Sequence, residues 1–277
     1  MNTDLLVRRA AIVSAMRRFF DSRGFLEVET PVRIAAPAPE TNIDCPPVST
    51  GGFLRASPEL QMKKLLAAGL DRIYQIGPCF RDGEKGSRHN PEFTMIEWYR
   101  KGEDYLAIAE DLEALLKDLG LGGPVRRISV REAYVDFAGW DPWGDWDQDR
   151  FDFDMATVIE PRLKEIGGGV FLMDYPVAAS SLAIVKDGHA ERWEFYFDGI
   201  ELANCFTELC DAVEQRRRFE EAKKERLALG EADYPLDVEF FRALPSMGSA
   251  AGVALGVDRL VMALTGAKAI TDVRAGE

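Results

Sequence analysis

Three stretches of this sequence combine residue types that can do chemistry at spacings that bring them together. The first is FRDGEKGSRHNPEFTMIEWYR, Phe80 to Arg100, a charged, glycine-containing loop between two strand-like runs. Alternation along the second run puts Phe93, Met95, Glu97 and Tyr99 on one face, so that an aromatic plate, a carboxylate and a phenol share a surface. Such a face suits a nucleotide base. Arg81, near the end of the preceding run, can hold a phosphate with two parallel N–H donors, and Arg88 or His89 can reach more distal phosphates from the loop. A half-buried sheet edge with a solvated loop has the same pattern.

The second stretch, RWEFYFDGIELANCFTEL (Arg192 to Leu209), places Glu194, Glu201 and Glu208 among apolar neighbours. Carboxylates inside strands are costly without cationic partners, which points to Mg2+ or an ammonium group, or else to glutamates on an outward face. Glu194 and Glu201 differ in parity, and the intervening turn can restore them to one face. Glu201 and Asn204 converge only if the strand carries a bulge or bend. The third stretch, GVALGVDRLVMAL (Gly252 to Leu264), runs small residues into a helix whose first turn holds Asp258 and Arg259, where a ligand can approach the backbone and Arg259 can offset phosphate charge. Ser57-Pro58-Glu59 fits a helix N-terminus as well as a ligand site.

The elements that must position these residues follow from periodicity. Leu5, Ile12, Met16 and Phe19 predict a helix from about Asp4 to Gly24, and the alternation from Phe25 to Thr30 predicts a strand ended by Pro31. Residues 34–52 carry four prolines and no apolar period, which predicts a loop. A helix is expected from Ser57 through Leu66, an antiparallel pair from Arg72 to Phe80 and Phe93 to Arg100, and a helix from Tyr105 to Leu119. The stretch from there to Phe153, with Trp140, Trp143 and Trp146 among aspartates, gives an irregular region without an assigned role. Asp198-Gly199 supplies a tight hairpin turn between Arg192–Phe197 and Ile200–Phe206. Asp211 and Glu214 start a charged helix that Gly230 ends, and a last helix begins near Val257 or Asp258 and stops before Gly266.

Composition sets outer bounds. The chain has 277 residues with 47% hydrophobic content, enough for a substantial core. Its 4 cysteines lack metal-site spacing and its 2 histidines are too few to complete one, so a disulfide framework and a zinc site are both disfavoured and a reducing cytoplasmic compartment fits. No apolar stretch has the length of a membrane span. A formal charge of −13 opposes general nucleic-acid binding. Hairpins, rather than strands alternating singly with helices, and the absence of glycine-rich phosphate loops argue against Rossmann and P-loop sheets.

Together the three stretches resemble the motifs of class II aminoacyl-tRNA synthetases, within them the lysyl branch. Motif 1 falls at Arg17 to Pro31, motif 2 at Phe80 to Tyr99 and motif 3 at Gly252 to Leu264, and RHNPEFTMIEWYR with GIELANCFTEL makes the match specific. The resemblance covers nearly the whole chain and implies an α+β fold, an antiparallel sheet flanked by helices. It also implies a single catalytic domain over residues 1–277 and a homodimer built through motif 1. A lysyl-tRNA synthetase has an anticodon-binding domain before motif 1, whereas here motif 1 starts almost at the first residue. The resemblance is therefore closest to the truncated branch that attaches β-lysine to elongation factor P.

Residue by residue, the resemblance implies that Arg81 contacts the α-phosphate, Phe93 stacks on adenine, and His89 and Asn90 lie near ATP. Arg259 faces the γ-phosphate and forms with Arg81 the catalytic pair; Asp82, Gly83, Glu84, Leu202 and Gly256 complete the ATP site. Glu194 and Glu201 match magnesium-binding carboxylates, Glu201 also reaching ATP. Ser57, Pro58, Glu59, Tyr99, Asn204, Glu208 and Ala254 match the amino-acid pocket, with Glu208 and Tyr99 on the distal ammonium. Two departures stand out: the family's Arg-x-Glu at the start of motif 2 is here Arg81-Asp82-Gly83 followed by Glu84, and Ala254 replaces a glycine of true lysyl synthetases. The implied activity is ATP-dependent, Mg2+-assisted activation of lysine or β-lysine and its transfer to a lysine of elongation factor P, with tRNA disfavoured as acceptor. The alternatives are a free-standing core that charges tRNA or a small amine, and a non-catalytic sensor of amino acids or nucleotides.

Overall fold

The computed structural model describes residues 2–276. Contacts divide the chain into two compact units, the first made of Met1–Gly102, Leu209–Ala250 and Ala254–Glu277, the second of Glu103–Glu208 and Ala251–Val253.

The first unit opens with helix α1 (Thr3–Ser22), whose first turn is capped by the Asn2 side chain accepting from the Leu5 N–H. It buries Met16, Phe19 and Phe20, and the Phe20 ring stacks on Tyr74 at 4.9 Å. The expected strand after Gly24 shrinks to β1 (Leu26–Glu27). Beyond it Thr30 N–H donates to the Gln75 side chain instead of a neighbouring backbone, and Pro31 has no N–H to give. The predicted loop is closed at its base by β2 (Arg33–Ile34) pairing antiparallel with β3 (Phe53–Leu54). Helix α2 (Glu59–Ala67) leads to the antiparallel hairpin β4 (Arg72–Phe80) and β5 (Glu92–Lys101), in register from Arg72 opposite Arg100 to Phe80 opposite Glu92. β1 lies parallel to β4.

The second unit comprises α3 (Tyr105–Asp118), β6 (Val125–Ser129), α4 (Val130–Ala133), α5 (Gln148–Asp154), α6 (Glu160–Ile166), β7 (Gly169–Tyr175), β8 (Val185–Lys186), β9 (His189–Phe197) and β10 (Ile200–Thr207). Its strands run in the order β10, β9, β7, β6, with β8 on β9; only β6 and β7 are parallel. The region expected to be irregular therefore contains a strand and two helices. Its tryptophans and aspartates hold those helices: Asp147 caps α5, Trp140 donates to Asp154 at 2.8 Å, and Tyr134 stacks on Phe151 at 4.6 Å. Short local contacts of this kind carry no hydrophobic period, which is why the pattern was invisible in the sequence.

The chain returns to the first unit with α7 (Ala212–Ala228), capped by Asp211, and α8 (Val238–Met247), which meet through Phe219, Phe240 and Phe241. Glu214 pairs with Arg217 and Arg218. The small residues of the third stretch form a strand, β11 (Ala250–Gly256), that passes directly into α9 (Val257–Thr265), ended by Gly266 at φ +75°. Among the described residues no helix is long and apolar enough to cross a membrane.

Candidate active site

In the first unit, the start of α2 and the end of β5 build a charged cluster. Ser57 Oγ accepts the Glu59 N–H at 2.9 Å, as a helix start requires, and donates to Glu97 Oε1 at 2.6 Å. Tyr99 Oη donates to Glu97 Oε2 at 2.7 Å, which the shared parity of the two residues on β5 makes possible. One helical turn after Glu59, Lys63 pairs with its carboxylate, the lysine side chain being 1% exposed. Burial, and next to it the Glu59 charge, pushes the Glu97 carboxyl up to about 7. Two carboxylates against a single lysine leave this cluster one positive charge short, a receptor for a further ammonium. Pro37, Ala38, Glu40, Cys45, Ser57 and Glu59 line a pocket there.

The β4–β5 hairpin and its loop carry the residues expected to meet a nucleotide. Arg81 lies with its guanidinium carbon 5.2 Å from the Phe93 ring centroid, and its Nη1 reaches Glu84 Oε1 at 3.4 Å. The departure from the Arg-x-Glu pattern has a local explanation: Gly83 adopts φ +75°, a turn that returns Glu84 to the arginine one position later than the pattern demands. Arg81 Nε is buried and makes no hydrogen bond among the described residues. A buried donor without a partner is costly, and an anionic ligand would satisfy it. Asp82 donates its N–H to the Asp44 carbonyl. Asn90 donates to the Glu92 carbonyl and so shapes the loop.

Arg259, in the first turn of α9, reaches back to the same loop, with Nε donating to the Arg88 carbonyl at 3.2 Å and Nη2 2.6 Å from His89 Nε2. A guanidinium can only donate, so Nε2 is the acceptor and the imidazole carries its proton on Nδ1. Burial and Arg259 both lower the His89 pKa, in keeping with a neutral ring. The neighbouring Asp258 is buried and pairs with Arg9 of α1, Arg274 and the Thr94 N–H, which fixes the start of α9 against β5 beside Phe93. A Cβ added at Gly256 would meet only the Arg259 side chain, at 3.9 Å, so protein packing does not demand glycine there. Ala254 lies two residues earlier on β11.

In the second unit the hairpin of β9 and β10 turns at Asp198 (φ +48°) and Gly199 (φ +72°), and pairs Tyr196 with Glu201. The register then shifts between Glu201 and Ala203, and Asn204 faces Glu194. This is the bulge that the parity of Glu201 and Asn204 required, and it brings Glu194, Tyr196, Glu201 and Asn204 to one face. Leu202, the residue skipped by the shift, has a buried side chain, so only its backbone is available to a ligand. Glu194 accepts from Arg192 Nη2 at 2.5 Å and from Tyr196 Oη at 2.7 Å, and Arg192 Nε donates to Asn204 Oδ1 at 3.3 Å. Glu208 is buried at the end of β10, bridged to Ala183.

The donor set of this face fits Mg2+, which takes hard oxygens from one or two carboxylates and completes its shell with phosphate and water. Glu194 keeps lone pairs beyond the two it gives to Arg192 and Tyr196. Among the described residues no group of three His, Cys, Asp or Glu forms a cage of its own.

The sequence reading singled out neither Lys63 nor Arg192, and it left Glu97 outside the proposed set. Parity was the available signal: Arg192 alternates with Glu194 on β9 as Glu97 does with Tyr99 on β5. Lys63 stands at i+4 from Glu59, the spacing of a helical ion pair.

The family model for tRNA synthetases class II (D, K and N) matches residues 1–275. The chain belongs to this class II synthetase family. Its similarity extends to proteins named elongation factor P–(R)-β-lysine ligase. The one from Proteus mirabilis (strain HI4320) is 38% identical over 306 residues, spanning 98% of this chain and 94% of the relative. The one from Photorhabdus laumondii subsp. laumondii is 39% identical over 305 residues with the same coverage, and that from Yersinia enterocolitica is 38% identical over 307 residues. The class II synthetase fold, an α+β architecture of antiparallel strands flanked by helices, is thereby the fold of this chain. Ligases of this class use ATP.

Proposed function

We propose that the chain is an ATP-dependent ligase that activates lysine or β-lysine as an aminoacyl-adenylate and transfers it to a lysine of elongation factor P, in the cytoplasm where translation factors act. The observation that carries this reading is the cluster of Ser57, Glu59, Lys63, Glu97 and Tyr99, which is short of one cation and is joined through β5 to the strand pair that holds Arg81 and Phe93. The names of the relatives supply the acceptor and the isomer.

In the first step an oxygen of the amino acid's carboxylate attacks the α-phosphorus, and the bond from phosphorus to the bridging oxygen of pyrophosphate breaks. Phe93 stacks on the base, and Arg81 donates to the oxygens on which charge accumulates, its unpartnered Nε among the donors. Arg259, oriented by neutral His89, takes the leaving phosphates. Glu194, Glu201 and Asn204 would hold Mg2+, which when bound supplies neutralisation of phosphate charge. The amino acid's ammonium groups go to Glu59 and Glu97 and, at the distal end, to Tyr99 and Glu208. In the second step the neutral amine of the acceptor lysine attacks the acyl carbon, AMP leaves with the electron pair of the C–O bond, and the amine proton passes to solvent. The adenylate is already an activated acyl group, so no side-chain nucleophile is required. Motif 1 supports assembly as a homodimer.

Amino-acid-dependent exchange of pyrophosphate into ATP tests the reading. Arg81→Ala is expected to lower that exchange by a factor on the order of 100 or more, the loss seen when a preorganised donor to developing charge is removed. The melting temperature should stay close to wild type, because the only ion pair lost is the long, partly exposed one with Glu84. Near wild-type exchange would overturn the assignment. Stable amide-linked label on elongation factor P, rather than base-labile label on tRNA, separates the acceptors.

A further inference from the structure

Outside the residues assigned above, the most heavily bonded buried cation among the described hydrogen bonds is Arg226, near the end of α7. Its side chain is 1% exposed. Nη1 donates to the carbonyls of Glu40 at 2.6 Å and Ile43 at 3.0 Å, and Nη2 donates to Asp44 Oδ1 at 2.6 Å. Its guanidinium carbon lies 4.4 Å from the centroid of the Tyr234 ring, and Tyr234 Oη accepts the Cys45 N–H at 2.8 Å while approaching Asp44 Oδ1 at 3.3 Å. A single planar fork thus fixes three consecutive turns of a proline-rich segment that has no regular backbone pairing of its own between Ile34 and Pro46.

That segment is not remote from the chemistry. Glu40 and Cys45 line the pocket that Ser57 and Glu59 also line. The Asp44 carbonyl accepts the Asp82 N–H at 2.7 Å, and Asp82 directly follows Arg81. Asp44 therefore touches α7 with its carboxylate and the arginine end of β4 with its backbone, while its neighbours wall the amino-acid pocket.

We propose that Arg226 is a positioning residue, which through Asp44 and Tyr234 sets segment 40–45 as the wall of the amino-acid pocket and the support of the Arg81 turn. The proposal rests on the functional reading above only for the identity of the ligand. Arg226 touches no reacting atom. It acts by removing the freedom of a loop that would otherwise sample conformations unable to close the pocket, so that substrate binding does not have to order it. Lysine cannot replace it, because an ammonium cannot serve two carbonyls and a carboxylate in one plane.

The test compares Arg226→Lys and Asp44→Asn with wild type. Asp44 is 48% exposed at its side chain, so its substitution leaves the core intact even if the arginine variant folds poorly. Both variants should raise the KM for the amino acid in pyrophosphate exchange on the order of tenfold, with kcat at saturation changed less than about threefold. Amide hydrogen exchange should accelerate at Cys45 and Asp82 and stay slow in the middle of α7. A merely structural role would lower the melting temperature and the yield of active enzyme while leaving the KM of the remainder unchanged. Unchanged KM, or unchanged protection at Cys45 and Asp82, overturns the proposal. Wild-type protein without any amino-acid-dependent exchange would sink the functional reading instead, and amide protection would still decide whether Arg226 sets the loop.

Discussion

Replacing Glu97 by glutamine exposes the electrostatic design of the ammonium receptor through stability alone. Glu97 is fully buried, with Ser57, Tyr99, Glu59 and Lys63 as its polar surroundings, and its carboxyl is raised from the ordinary 4.5 to about 7 by burial and by the Glu59 charge. The folded chain therefore holds this proton more tightly than the unfolded chain. Its contribution to stability is whole below about pH 4.5 and is lost as pH rises through about 7. At about 1.4 kcal/mol per pH unit, the interval corresponds to a loss of roughly 3 kcal/mol. The glutamine amide stays neutral throughout and still offers an oxygen to one of the two hydroxyls. Urea denaturation at closely spaced pH values between 5 and 8 should show wild type falling relative to Glu97→Gln by about this amount as pH rises. Parallel curves, or a wild type that gains on the variant toward higher pH, would refute the argument. Ligand binding should show the complementary sign: an ammonium beside Glu97 favours the carboxylate, so amino-acid affinity rises as pH approaches 7, and the variant lacks that rise.

Two further outcomes separate the distal cation from the nucleotide turn. Glu208→Gln should raise the KM for lysine-like substrates by the equivalent of several kcal/mol, since the substrate's ammonium would lose its buried counter-charge; unchanged KM and turnover in pyrophosphate exchange would place that ammonium elsewhere. Gly83→Ala should raise the KM for ATP several-fold, because an added Cβ meets nothing within 4 Å and the whole cost is the backbone's positive φ, about 1 to 2 kcal/mol, relieved by letting the turn and Glu84 drift from Arg81. If ATP KM and melting temperature both match wild type, the turn does not hold Glu84 in place.

The elements that carry a long apolar period were legible. α1, α2, the β4–β5 hairpin, α3, the turn at Asp198-Gly199, α7 and α9 stand within a few residues of where periodicity, caps and turn residues put them. The strand after Gly24 was overestimated, because alternation over six residues says nothing about whether a neighbouring strand offers partners. Here Gln75 intercepts the Thr30 N–H with its side chain. Residues 120 to 153 failed for the opposite reason. Tyr134, Trp140, Trp146 and Phe151 pack ring on ring across short helical pieces, so their spacing follows aromatic contact geometry and not a helix or strand repeat.

The site shows where parity suffices and where it does not. Parity alone placed Phe93 and Tyr99 on the face where Glu97 bonds Tyr99, and it forced a choice on β10: either Glu201 and Asn204 point to opposite sides or the strand is irregular between them. The register shift at Leu202 resolves that choice in favour of convergence. A bulge leaves a strand residue without its ladder partner and is retained where re-aiming a side chain matters. The same shift makes Asn204 the neighbour of Arg192 as well as of Glu194, so the arginine offsets one of the face's two negative charges. A pair of unscreened carboxylates at this spacing would repel each other in the absence of a cation. With Arg192 bonded to Glu194, the face can remain ionised between turnovers and accept a divalent ion together with phosphate without first losing a proton.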